Sequence, residues 1–250
     1  MLVNDGPADI AIVTSYGFSA RDTYAKISDQ LKWEYAQAHG YHFFADCSEL
    51  TTVGGTRSPY FGQIVPLMGF IKLDLLLHFL PRYKAVVWMD ADLLITNKEK
   101  RLETPLEEME HCGSDVGVCQ DHNGFHSTVI IARNTPIARD YLWAANNTGR
   151  SFYAGDPWHE MTALRHFAQD DRYARRIHYF SAKRFCSIRK AEYAPALPLD
   201  IGAEYDWEPG DFALHASALG EGRRHRLFEH YADPRNHNTE PPKGPDEQHP

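Results

Sequence analysis

The sequence is poor in cysteine. Four occur, Cys47, Cys112, Cys119 and Cys186, and no two form a C-x-x-C pair. That spacing argues against a structural zinc site. Four thiols in 250 residues also fall short of the disulfide framework of a small secreted domain. Reduced, packing thiols are expected, with Cys112–Cys119 the candidate bridge if one forms. Long apolar runs are missing too: none approaches the ~18–20 residues of a membrane span, which leaves peripheral association as the form of membrane contact. No basic segment followed by an apolar one opens the chain, so no signal peptide is read and a cytoplasmic location is expected. Positive charge is also in deficit. Thirty-four acidic residues stand against 26 Lys and Arg, a formal net charge of −8. A general nucleic-acid binder carries a basic footprint and is therefore excluded. An anionic substrate would need local positive charge or a metal against this background. No internal repeat is visible.

What is present is ordinary for a soluble globular chain: 43% hydrophobic and 24% charged residues, with a length suited to one large domain. "IAIVTS" at Ile10–Ser15 is a short β-branched run of buried-strand type. Residues 22–39 bring Tyr24, Ile27, Leu31 and Tyr35 round at helical spacing, and Gly40 ends the helix. "YHFFA" at Tyr41–Ala45 reads as a second strand. Thr51–Gly62 is a loop rich in Gly, Ser and Pro. Leu67–Leu80 reads as an apolar helix stopped by Pro81. "AVVWM" at Ala85–Met89 is apolar throughout, as a strand covered on both faces must be. Strand, helix, strand, helix, strand is the order of an α/β nucleotide-binding half. Further on, Asp115–Asp121 and Ser127–Asn134 read as strands joined by a loop from Asp121 to His126. Helices are expected over 137–145 and 157–168, strands at Arg176–Phe180 and Asp211–Ser217, and loop from Glu192 to Pro209. Residues 236–250 hold several prolines and no apolar residue, and read as a disordered tail.

The feature that carries chemistry is "VVWMDADLLI". Asp90 and Asp92 interrupt an apolar run with only Ala91 between them. Buried charge is costly unless paired or bound to metal. In extended chain, residues two apart point to one side, so both carboxylates can face one ion. Hard oxygen donors suit Mg²⁺ or Mn²⁺ rather than zinc, and such an ion completes its shell with water and phosphate. Strand ends are also where open α/β sheets bind ligands. Solvated loop carboxylates are the plain alternative.

Several ordered segments carry a family resemblance. "YKAVVWMDADLLITN" resembles the D-x-D segment of glycosyltransferases with the GT-A fold, especially galactosyl and xylosyl transferases of the yeast mannan and plant xyloglucan kind. "YAQAHGYHF", "GFIKLDLLLHFLPRY", "VIIARNTPIARDYL", "WHEMTALRHF" and "GDFALHASAL" are similar to further segments of that family, in the same order. The resemblance implies a Rossmann-related mixed sheet flanked by helices in a single domain. Its nucleotide-binding half would span about 8–97 and its acceptor half about 98–235. It implies Mn²⁺ or Mg²⁺ as cofactor, a nucleoside diphosphate sugar, with UDP the expected nucleotide, as donor, and a glycan hydroxyl as acceptor. The family transfers hexoses or pentoses with retention of configuration.

Roles follow from the same resemblance. Asp92 would bind the metal, Asp90 the metal, the ribose or both, and His215 in "GDFALH" would be the third protein ligand. Thr14, Ser15, Tyr16 and Ala91 would border the nucleotide, and Lys72 or Arg223, with Arg224 beside it, would reach the diphosphate. Asp121, His122, Asn123, His126 and Trp158 are the candidates for sugar and acceptor contacts, with Tyr153 a second aromatic. Glu160 and Asp156 are the candidate catalytic carboxylates facing the anomeric carbon. Read from local sequence alone, Asp156 also fits as a cap for the following helix, and Glu160 as a first-turn acid. The chain departs from the family where His126-Ser127-Thr128 replaces Asn, a small residue and Gly. Two other classes compete: a sugar nucleotidyltransferase, and a non-catalytic nucleotide-sugar or glycan-binding module. The first would carry a Gly-rich basic loop after the first strand, and "TSYGFSARD" has one glycine. The second is hard to square with intact Asp90, Asp92 and His215.

Overall fold

The computed structural model describes residues 6–16, 20, 23–46, 56–57, 64–65, 68–121, 124–153, 155–193 and 202–242. In chain order these form β1 (Ile10–Ser15), α1 (Tyr24–His39), β2 (His42–Asp46), a short hairpin of β3 (Thr56–Arg57) and β4 (Ile64–Val65), and α2 (Met68–Phe79). β5 (Ala85–Met89), β6 (Leu93–Ile95), α3 (Glu103–His111), β7 (Val116–Asp121), β8 (Gly124–Arg133), α4 (Pro136–Trp143) and α5 (Gly149–Tyr153) follow. Then come α6 (His159–Phe167), β9 (Ile177–Ser181), α7 (Ala182–Phe185), α8 (Lys190–Tyr193), β10 (Ala213–His215) and α9 (Glu221–Tyr231).

Six strands form one mixed sheet in the order β2-β1-β5-β8-β7-β9. β1 runs parallel to β2 and β5; β8 is antiparallel to β5 and β7; β9 returns parallel to β7. The continuous apolar strands divide their residues between the faces with period two. Val86 and Trp88 pack on one side with Phe70, Leu73 and Leu76 of α2 and with α4 and α6. Val87 and Met89 pack on the other with Tyr35 and Ala36 of α1 and with Met109 of α3. α1 ends as the sequence requires. Gly40 adopts φ 73°, which a side chain would resist, and its N–H closes the last turn on Ala36 and Gln37.

A second, two-stranded sheet pairs β6 with β10, setting Leu93 opposite His215. α9 and Leu31 of α1 cover it through Leu227, Phe228 and Tyr231. This arrangement carries a residue from the end of the chain to the turn after β5.

Several expectations change. The Asp121–His126 loop is mostly strand: β7 runs to Asp121, which pairs with Gly124, and a register shift after Val118 absorbs the mismatch. Residues 221–231 form α9 and 103–111 form the amphipathic α3, neither with a counterpart among the expectations. The Glu192–Pro209 stretch opens within α8 and contains the turn Ala203–Tyr205. The tail expected from Asn236 is held further: the His237 ring lies 5.3 Å from Trp207, and the Tyr231 hydroxyl donates to the Thr239 carbonyl at 3.2 Å. Cys112 is exposed while Cys119 and Cys186 are buried, and all three are free thiols, so the Cys112–Cys119 bridge does not form. Cys47 and most of the Thr51–Gly62 loop lie outside the described residues. No helix among the described residues is long and apolar enough to cross a membrane.

Candidate metal centre

The strand β5 ends at Met89 and the chain turns at once. The Leu93 N–H closes on the Asp90 carbonyl at 3.1 Å, while the Asp90 N–H donates to Thr128 of β8. The turn therefore lifts Asp90 and Asp92 above the sheet. β10 docks beside it: the Ala216 N–H donates to the Asp92 carbonyl at 2.9 Å, which brings in His215. One donor atom from each of Asp90, Asp92 and His215 lies within 4.8 Å of the other two. An octahedral ion with ~2.1 Å bonds accepts donors up to about 4.2 Å apart. A sub-ångström adjustment closes this set, and two carboxylates with one imidazole suit Mn²⁺ or Mg²⁺. The residues present fit such an ion.

The two carboxylates live in different fields. Asp90 Oδ1 accepts from the Trp88 indole at 2.6 Å and from Lys72 Nζ at 3.2 Å. Burial, with help from neighbouring Asp92, pushes the Asp90 carboxyl above its ordinary range against the pull of Lys72. Lys72 is buried on α2 and also pairs with Glu160 at 2.9 Å. Burial alone would lower it, but Asp90 and Glu160 together raise it. The Ser127 hydroxyl donates to Glu160 at 3.1 Å and receives Lys72 at 3.2 Å. Asp92 is pushed up by burial too, but His215 at 3.5 Å, Arg224 at 3.6 Å and Lys32 hold it well below the usual carboxylate range.

Beyond His215 runs a polar chain. Its Nε2 meets the Thr128 hydroxyl at 3.2 Å, that hydroxyl meets His126 Nδ1 at 2.5 Å, and His126 Nε2 stands 3.7 Å from Asp121. The His126 and His215 rings are 5.2 Å apart. The structure thus brings Asp121 and His126 up to the carboxylates. His122 and Asn123 lie outside the described residues.

At the other edge, Tyr16 and Tyr24 pack against Ala91, Ala20 and Ala25. Thr14 is buried with its hydroxyl unpartnered; Ser15 and Tyr16 are half-buried at the end of β1. The basic residues separate. Arg223 turns to Glu192 at 2.9 Å. Arg224, one position on, faces Asp92, stacks on Tyr24 with 4.5 Å to the ring centre, and bonds the Ala216 and Leu219 carbonyls. The helical turn of α9, which the sequence did not reveal, decides between them.

The two candidate catalytic carboxylates also separate. Asp156 Oδ1 accepts from the Trp158 N–H at 2.8 Å and the Thr162 hydroxyl at 2.6 Å. Its contacts are local and close the turn before α6; the helix begins at His159 with Trp158 at the N-cap and no side-chain cap bond, so Asp156 is not the cap of a helix starting at Pro157. Glu160 instead points inward. His159 between Trp158 and Glu160 takes φ 39°, a strained value for a side-chain-bearing residue. Gly69 of α2 makes room: a Cβ there would stand 1.7 Å from Glu160 Oε2. Trp158 stays 57% exposed. Tyr153 packs on the core beside His166 rather than joining it. A cavity of about 680 Å³ opens at the opposite ends of the strands, among Asp9, Tyr83, Lys84 and Arg133, and holds none of these residues.

Sequence reading missed Ser28, Lys32, Ser127 and Thr128. The first two carried a signal: they share the inward helical stripe of α1 with Ala25, Tyr35 and Ala36.

No protein-family model matches the chain, and no curated protein matches it. Solved structures do. A glycosyltransferase involved in the glycosylation of the major capsid of PBCV-1 superposes with a TM-score of 0.64 at 15% identity, covering 89% of this chain and 99% of that one. The apo form of the glycosyltransferase GlyE of Streptococcus pneumoniae TIGR4 gives 0.52 at 13% identity, over 89% of this chain and 59% of its own length. The bifunctional glycosyltransferase WbbM gives 0.50 at 9% identity, over 88% of this chain and 48% of that one. At these identities the similarity establishes fold. The chain has the single-domain, mixed α/β fold of GT-A glycosyltransferases, as the sequence resemblance implied.

Proposed function

We propose that this protein is a metal-dependent glycosyltransferase of the galactosyl and xylosyl transferase kind. It moves a hexose or pentose from a UDP-linked donor to a glycan hydroxyl, with retention. The observation that carries the reading is the convergence of Asp90, Asp92 and His215, from two distant segments, at a strand end in a fold shared with glycosyltransferases. In this reading Asp92, His215 and Asp90 hold Mn²⁺ or Mg²⁺. Bound there, the ion supplies Lewis-acid neutralisation of the departing diphosphate. Arg224, rather than Arg223, offers its guanidinium to the phosphates, a task its planar fork suits. Thr14, Ser15, Tyr16 and Ala91 border the base and ribose. Lys72 bridges Glu160 and Asp90, and Glu160 is the carboxylate offered to the sugar, with Asp156 left to its turn before α6. Asp121, His126, His122 and Asn123 flank the sugar, where buried polar groups discriminate strongly between hydroxyl patterns. Exposed Trp158 gives the acceptor an aromatic surface.

Calorimetric titration of UDP with and without Mn²⁺ tests this reading. Affinity is expected to depend on Mn²⁺ in the parent protein and to lose that dependence in Asp92→Ala. Metal-dependent UDP binding that survives Asp92→Ala would refute the site. A donor screen for UDP release from UDP-Gal, UDP-Glc, UDP-GlcNAc and UDP-Xyl then identifies the sugar.

A further inference from the structure

Helix α1 carries a polar pair on its buried face. Lys32 is fully buried, and its Nζ donates to the Asp90 carbonyl at 2.7 Å and to the Ser28 hydroxyl at 2.7 Å. Ser28, also fully buried, donates its hydroxyl hydrogen bond to the Leu93 carbonyl at 2.7 Å. Asp90 and Leu93 are the first and last residues of the turn that presents both carboxylates. Residues four apart stand one above the other on a helix, so one rigid face grips both ends of that turn.

Docking of α1 does not call for this pair. The helix already packs through Leu31, Tyr35 and Ala36, and its far end is tied by the Tyr35 hydroxyl to the Lys100 carbonyl at 2.7 Å. A buried ammonium is costly, and burial pulls Lys32 down to about 8 against the pull of Asp29, Asp92 and Asp90. A methionine would fill the same space without that cost.

We infer that Lys32 and Ser28 are positioning residues that fix the Asp90–Leu93 turn so that both carboxylates meet one divalent ion. This inference rests on the metal-binding reading given above. Lys32 makes its hydrogen bonds to the Asp90 carbonyl and the Ser28 hydroxyl and adds its charge to the field on Asp92, and no substrate contact is assigned to it. Metal sites held by well-supported ligands bind more tightly than the same ligands left loose.

The test is a Mn²⁺ titration of the full chain, reading free Mn²⁺ by electron paramagnetic resonance, with thermal unfolding alongside. Lys32→Met is expected to weaken Mn²⁺ binding at least tenfold and Ser28→Ala severalfold, both relative to parent and in folded protein. A purely structural role would lower the melting temperature while leaving the Mn²⁺ affinity of the folded protein unchanged, and that result would overturn the inference. Should Lys32→Met fail to fold, Ser28→Ala decides by the same criterion. If the parent protein binds no Mn²⁺ at millimolar concentration, the metal reading itself falls and takes this inference with it. Parent-like binding in the variants overturns the positioning role alone.

Discussion

The two flanks of the Asp90–Asp92 turn solve the same problem differently. On the Asp90 flank the charges are paired within the protein: Lys72 bridges Asp90 and Glu160, and Trp88 and Ser127 fill the remaining hydrogen bonds. On the Asp92 flank the partners stand off, His215 at 3.5 Å and Arg224 at 3.6 Å. The first flank is a closed network that resists change. The second is a looser set of longer contacts around Asp92, which suits the ion and diphosphate site proposed above.

The sharpest way to break this contrast is Lys72→Met. It strands the buried Glu160 and the partly buried Asp90 without their shared cation, and the loss of a buried partner costs about 3–5 kcal/mol. A large drop in denaturation midpoint is expected, read by chemical unfolding. An equal drop for Arg224→Ala would erase the difference between the flanks. Next comes Gly69→Ala, whose methyl collides with Glu160. Overpacking of this kind costs about 1–3 kcal/mol. The variant is expected to lose sugar transfer while Mn²⁺ binding, measured separately, persists. Adjacent arginines then sharpen the Asp92 side. Arg224→Ala is expected to weaken UDP binding in Mn²⁺ about tenfold, the scale of one hydrogen bond to a charged group. Arg223→Ala, which loses the contact with Glu192, should leave calorimetric UDP affinity unchanged. The smallest effect belongs to Asp156→Ala. Removing its turn bonds costs about 1 kcal/mol, seen as a modest shift in melting, with Mn²⁺ affinity intact.

The first half of the chain was legible because its signals are local. "IAIVTS", "AVVWM" and the α1 periodicity each specify an element within a few residues, and the Asp90–Asp92 pair announces itself by interrupting one of them. What escaped reading depends on distant partners or on helical phase. Strand β6 exists because β10 pairs with it. Arg224 and Arg223 look alike until α9 assigns each a face. Asp156 and Glu160 sit four apart at a helix start, and only Gly69, on another helix, explains why Glu160 can turn inward. Lys32 was overlooked because a search for apolar periodicity passes over a buried lysine. The hydrogen bond that ties it to the turn reaches a residue 58 positions away.

The pairing of β6 with β10 bears on synthesis as well as architecture. Asp92 leaves the ribosome well before His215, and the 122 residues between them include most of the second half of the chain. A nascent polypeptide can therefore lay down β1, β2 and β5 while still lacking a complete ligand set. On the proposed reading, metal capture would mark the arrival of the last strand, and a chain truncated before Ala213 would have the turn but not the trap.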